Sequence, residues 1–114
     1  MFAEVKRMLP VSGDAYDPEI VLQIKAAALD LTRTAEIILP GTIDISIDGT
    51  SGVVTDNSTV EDEYLTAAIA CWCAAMIGNP PNHDNMMKAY EAMKGNMRLS
   101  REYTDYGEAC GWRS

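Results

Sequence analysis

At 114 residues, 47% of them apolar and 23% charged, the chain has the size and composition of one globular domain with its own core, which excludes the disordered and fibrous classes. No apolar run reaches the ~18 residues of a membrane helix, and Met1-Phe2-Ala3-Glu4-Val5-Lys6 lacks the basic stretch and apolar core expected of a signal peptide. Seventeen acids against nine Lys and Arg give a net charge of −8, which argues against bulk attraction to nucleic acid or anionic lipid.

Met1 to Leu9 predicts a short helix ending at Pro10, with Phe2, Val5 and Met8 or Leu9 on one side, followed by a loop over 11–16. Asp17-Pro18 then reads as an N-cap with proline at N1. Beyond it Ile20, Ile24, Ala27, Ala28, Leu31, Ala35 and Ile38 recur at helical spacing, leaving Lys25, Asp30, Arg33 and Glu36 for the wet side, until Pro40-Gly41 stops the run.

The period next changes to two. Ile43, Ile45 and Ile47 alternate with polar residues, Asp48-Gly49-Thr50-Ser51-Gly52 is turn chemistry, and Val53-Val54-Thr55 returns as a second strand. This inserted hairpin, near 42–55, is expected to be exposed, because a lone hairpin has little core. Ser58-Thr59-Val60-Glu61 fits a capping box. The helix it would open passes through the apolar stretch around Cys71-Trp72-Cys73 and is expected to be the central, most buried element, with Trp72 largely buried. Gly78-Asn79-Pro80-Pro81 ends it. Asn82 or Asp84 would cap a last helix carrying Met86, Tyr90, Met93 and Met97 along one stripe.

The expected fold is therefore mainly α, a small bundle of about four helices with an inserted β-hairpin. Residues 1–103 form a single domain, and 104–114, aperiodic and with two glycines, a loosely ordered tail.

Candidate chemistry is sparse. Asp44-x-Ser46-x-Asp48-Gly49 overlaps the first half of a calcium loop, but loop position twelve is Thr55 rather than a bidentate glutamate, so turn chemistry is the better reading. Three cysteines, Cys71, Cys73 and Cys110, make no disulfide framework and, with the single histidine His83, no zinc pattern. No P-loop or dinucleotide fingerprint occurs, and the acids Glu61, Asp62 and Glu63 have a structural explanation at a helix N-terminus. No catalytic, cofactor-binding or metal residue is assigned, and an enzyme is not expected.

Charge is uneven along the chain. Residues 1–63 hold twelve acids and four bases, whereas residues 64–114 hold five of each. Lys88, Lys94, Arg98 and Arg101 group together, and Met87, about 100° around the helix from Met86, is the methionine expected to face a partner. These five residues are the candidate subunit or partner interface, and the charge polarity suits head-to-tail packing of copies.

In order and length, the short helix with Val5-Lys6-Arg7-Met8-Leu9, the helix opened by Asp17-Pro18-Glu19-Ile20, the central helix ending in Gly78-Asn79-Pro80, and the final helix running into Met97-Arg98-Leu99-Ser100-Arg101-Glu102-Tyr103 resemble the small head–tail connector proteins (head-completion or DNA-packaging adaptor proteins) of tailed bacteriophages and prophages. The resemblance covers about residues 2–103. It implies a helical bundle without catalysis or cofactor, assembling as a ring, commonly a dodecamer, between the portal and the tail-side completion proteins. Double-stranded DNA would pass through its lumen, no membrane would be involved, and the protein would reside in the virion after assembly in the host cytoplasm. An acidic lumen would keep DNA mobile rather than bound. The alternative is a small intracellular adaptor or regulator that binds a protein partner through the methionine helix.

Overall fold

The computed structural model describes residues 1–9, 11, 13–77 and 83–99. The expected stop at Pro10, the terminator at 78–81, the Asn82 cap, Arg101, Cys110 and the 104–114 tail lie outside the described residues.

The elements run α1 (Phe2–Arg7), α2 (Asp17–Thr34), β1 (Ile45–Ile47), β2 (Val54–Asp56), α3 (Glu63–Met76) and α4 (His83–Leu99). The chain is thus mainly helical, with four helices and one antiparallel hairpin that pairs Ile45 with Asp56 and Ile47 with Val54. α3 is the hub and packs against α4, α2 and α1. Its Leu65, Ile69 and Cys73 are fully buried beside Ile20, Ile24 and Leu31 of α2, Val5 of α1, and Tyr90 and Met97 of α4. These are the stripes that helical spacing picks out, since apolar residues three and four apart share one face.

The helix ends depart from expectation. Asp17 is not the cap of α2. Tyr16 holds that position without a side-chain bond, and the buried Asp17 carboxylate instead pairs with Lys6 at 2.7 Å, tying α1 to α2. At the other end α2 stops at Thr34, well before Pro40. Glu36 takes the left-handed conformation (φ 56°), and the Ile37 amide donates to the Leu31 carbonyl across the turn at 3.1 Å. That reversal buries Ile37 and turns Ile38 outward, opposite to the continuous helical register.

Ser58 does not cap α3 either. The cap is Asp62, whose carboxylate accepts the Leu65 amide at 3.0 Å. Ser58 and Thr59 are already engaged with the hairpin, where their hydroxyls accept the amides of Asp44 (2.9 Å) and Thr42 (2.8 Å). Backbone bonds Asn57 to Asp44 and Thr59 to Thr42 extend the pairing beyond β1 and β2. Gly41 lies so close that a Cβ there would sit 2.9 Å from Thr59 Oγ1 and 3.0 Å from the Val60 amide nitrogen.

The hairpin is less exposed than its isolation in sequence implied. Ile45 is 2% exposed and belongs to the main core, with Ile47 and Val54 packed partly against it. The turn chemistry is as expected: the Asp48 carboxylate accepts the amides of Thr50 and Ser51, and Gly52 has φ 75°.

Candidate functional site

α4 carries four of the five interface candidates into the described residues, and its two sides differ sharply. Tyr90 and Met97 are buried, and Met93 packs on the core from a half-buried position. Met87, expected to face a partner, is also half-buried and packed against the core. On the opposite side Asp84, Lys88 and Glu91, with Met87 at the edge, line an open depression. Acids therefore alternate with Lys88 there, and the cluster that looked cationic in the sequence is mixed in space.

Lys94 is not on a wet face. Its side chain is only 12% exposed, and its ammonium pairs with Asp30 at 3.1 Å and Glu91 at 3.2 Å while lying 5.3 Å from the Tyr90 ring centre. Asp30, also assigned to the wet side, is the centre of this cluster. It accepts from the Tyr90 hydroxyl at 2.5 Å and from Thr34 Oγ1 at 3.0 Å. Nearby, Trp72 meets Tyr90 edge-on with centroids 5.1 Å apart, and its indole N–H donates to Gln23 Oε1 at 2.9 Å. Trp72 is therefore half-buried at the α2–α3–α4 junction rather than enclosed, because its polar edge needs a partner.

The electrostatics give this cluster a structural character. Burial alone would raise the Asp30 carboxyl, but hydrogen bonds from Tyr90, Lys94 and Thr34 hold it below its ordinary value. Burial works against the Lys94 charge, yet Asp30 and Glu91 keep its pKa raised. Burial, reinforced by the Asp30 hydrogen bond and charge, drives the Tyr90 phenol far upward. All three shifts lead away from neutrality, so no member is poised to exchange a proton in general acid–base chemistry.

Other reactive groups are similarly held. Burial pushes the Cys73 thiol up to about 12 and raises Cys71, which keeps both protonated and poorly nucleophilic. His83 Nδ1 donates to the Ala75 carbonyl at 2.6 Å, pinning the start of α4 to the end of α3. Among the described residues no group of three or more His, Cys, Asp or Glu is placed to hold a metal ion, and no helix is long and apolar enough to cross a membrane.

Two features escaped the sequence reading. The α-amino group of Met1 is held by Asp56 at 2.7 Å and Glu4 at 2.9 Å, while Asp56 also accepts the Phe2 and Ser58 amides. Burial would raise Asp56, but these donors push its carboxyl far below the usual range. Next to this corner, Glu4, Glu61, Glu63, Arg7, Met8 and Val60 line a cleft of about 400 Å³ between α1 and the start of α3. Neither feature has a local motif, since the partners lie some fifty residues apart in the chain.

Among the exposed positions are Lys88 and Arg98 on α4, with Leu99 beside the latter almost fully exposed, and two leucines on α2, Leu22 and Leu29. No known protein family, curated protein or solved structure matches the chain.

Proposed function

We propose that the chain is a structural subunit of a phage head–tail connector, forming a ring between portal and tail through which double-stranded DNA passes. The observation that carries the reading is the order of elements: a short helix, a long helix, a hairpin, a central apolar helix and a final amphipathic helix. That order accompanies the residue-level resemblance over about 2–103. Two further features support it. The net charge of −8 supplies acids for a lumen that repels DNA, and the titratable clusters are locked in structural roles rather than poised for catalysis. Subunits would meet with the acidic N-terminal half of one against Lys88, Arg98 and Arg101 of the next. Lys94 drops out of that surface because Asp30 of its own chain already holds it.

The exposed leucines of α2 favour a second reading, a small adaptor acting by protein contact alone. Negative-stain images and mass measurement of the purified chain, alone and mixed with a phage portal protein, separate the two. A closed ring that weakens with salt and on reversal of Lys88, Arg98 and Arg101 is expected. A gene lying away from capsid and tail genes, together with a particle that never exceeds a dimer, would overturn the connector reading.

A further inference from the structure

The solvent side of α2 carries a seam opposite its buried stripe. Glu19, Leu22, Ala26, Leu29 and Arg33 follow the alternating three- and four-residue spacing of coiled-coil core positions. The inward face of the same helix is Ile20, Ile24, Ala27 and Leu31, so the seam points directly away from the core. Leu22 is 58% exposed and Leu29 50%. The small Ala26 lies midway between them. Beside Leu29 the apolar surface continues into an open groove with Ala28, Leu39 and Ile43. The ends of the seam carry opposite charge, Glu19 at one and Arg33 at the other, both exposed.

We propose that α2 pairs with α2 of a second copy of this chain, antiparallel, about a two-fold axis at Ala26. Self-complementarity selects both the occupant and the orientation. Around that axis Leu22 of each copy lies beside Leu29 of the other, and Glu19 lies beside the other copy's Arg33, twice. A parallel pair would set Glu19 on Glu19 and Arg33 on Arg33, and like charges at matching positions disfavour it. Ala26 permits close approach at the crossing, and each Leu22 faces the groove beside the other copy's Leu29. The contact is isologous and closes at two copies. It is confined to one 18-residue helix and its flank, so it belongs to the smaller, transient class of interfaces. The dimer does not depend on the connector reading, in which it would be a free form held before assembly.

Sedimentation equilibrium of the full chain from about 10 μM to about 1 mM, a range matched to weak association, is expected to show a monomer–dimer equilibrium. Leu29→Glu should raise the dissociation constant by more than about tenfold, as loss of a central apolar anchor does, with an unchanged circular dichroism spectrum. Glu19→Arg should weaken the dimer, and Glu19→Arg combined with Arg33→Glu should restore it. The second pair keeps the test decisive if Leu29→Glu fails to fold. Ala26→Cys should give a covalent dimer on mild oxidation that the parent chain does not. A monomer across the whole range overturns the proposal, as does a dimer indifferent to Leu29→Glu, or failure of both the double swap and the Ala26→Cys link. Rings that persist in the α2 variants would leave the connector reading intact while removing the dimer. A dimer that meets these tests but builds no ring with the portal would do the reverse.

Discussion

The bundle interior and the corner where α1 meets the hairpin are held by different physics. Around α3 the contacts are apolar and periodic: Leu65, Ile69, Ile24, Leu31 and Met97 interlock with almost no exposure. The corner depends on charges. The Met1 amine sits between Asp56 and Glu4, and Lys6 reaches Asp17. Apolar burial is non-directional and proportional to area, so it tolerates small displacements and is written as a repeat. Ion pairs need two specific groups in register and weaken with solvent exposure. The bundle should therefore dominate stability, while the corner sets where the hairpin lies.

The largest effect tests the interior. Ile69→Ala, at a fully buried site in the middle of α3, should lower stability by about 2–5 kcal/mol in a denaturant titration, from lost transfer energy and the cavity left behind. A loss below ~1 kcal/mol would mean the hub has been misplaced. The hairpin supplies a sharper comparison. Ile45 is 2% exposed and Val53 61%, so Ile45→Ala should cost about 2–4 kcal/mol and Val53→Ala no more than ~0.5 kcal/mol. Equal losses would show that the hairpin is not partly core.

Legibility followed the same division. Helical and two-residue periods located all four helices and both strands, and they picked out Ile20, Ile24, Leu31, Tyr90 and Met97 as inward-facing. Most of what failed were polar residues whose role is decided at a distance. The apolar exceptions are Ile38, turned outward where α2 ends early, and Trp72 and Met87, both half-buried against the core. Asp17 and Ser58 have the local chemistry of N-caps, yet Lys6 claims one and the Asp44 amide the other. Asp30, which reads as wet, and Lys94, which reads as an interface residue, find each other across 64 positions with Tyr90 between them. A side chain able to serve several partners chooses among them by the tertiary fold, and local spacing does not encode that choice. The candidate interface suffers in the same way: charge along the chain groups Lys94 with Lys88 and Arg98, whereas in space Asp30 of the same chain holds it.

The Asp30 cluster is a place where the bundle borrows the corner's physics, and Tyr90→Phe isolates it. The variant keeps the ring against Trp72 and removes only the hydroxyl that Asp30 accepts. A hydrogen bond to a charged group is worth about 1.5–3 kcal/mol, and a loss in that range is expected. Trp72 fluorescence should shift little, because Gln23 still holds the indole.

A smaller effect distinguishes the two candidate caps of α3. Asp62→Ala removes the acceptor for the Leu65 amide and should cost about 1 kcal/mol. Ser58→Ala should leave helix protection in hydrogen exchange unchanged and loosen residues 42–44, whose Asp44 amide loses its acceptor. Fraying at the start of α3 in the Ser58 variant would return the cap to Ser58.

The smallest effect belongs to the corner and is read by pH. The Met1 amine has a raised pKa: burial opposes its charge, but Asp56 and Glu4 more than compensate. A raised pKa stabilises the fold fully below the unfolded value, near 8, and the contribution is lost as pH rises through the folded value. Asp56 is depressed, so its contribution is present above the ordinary carboxylate range and is lost as pH falls below about 4. Asp30 in the bundle is depressed too, so the acid limb mixes both regions. Between pH 7 and 9 the alkaline limb carries the corner together with the onset of a fall from the buried thiols Cys71 and Cys73, whose unfolded forms ionise from about 8.5. The thiol part is common to the parent and a corner variant, so the difference between their profiles reports on the corner. Partly exposed pairs are worth about 1 kcal/mol or less, so the part of the loss that differs between the parent and the variant should be no more than that over this window. Asp56→Asn keeps an acceptor for the Phe2 amide but removes the charge, and its profile should be flatter there. Parallel profiles for the two proteins would show that the amine is not held by Asp56, leaving the hairpin positioned by Ile45 and the apolar core alone.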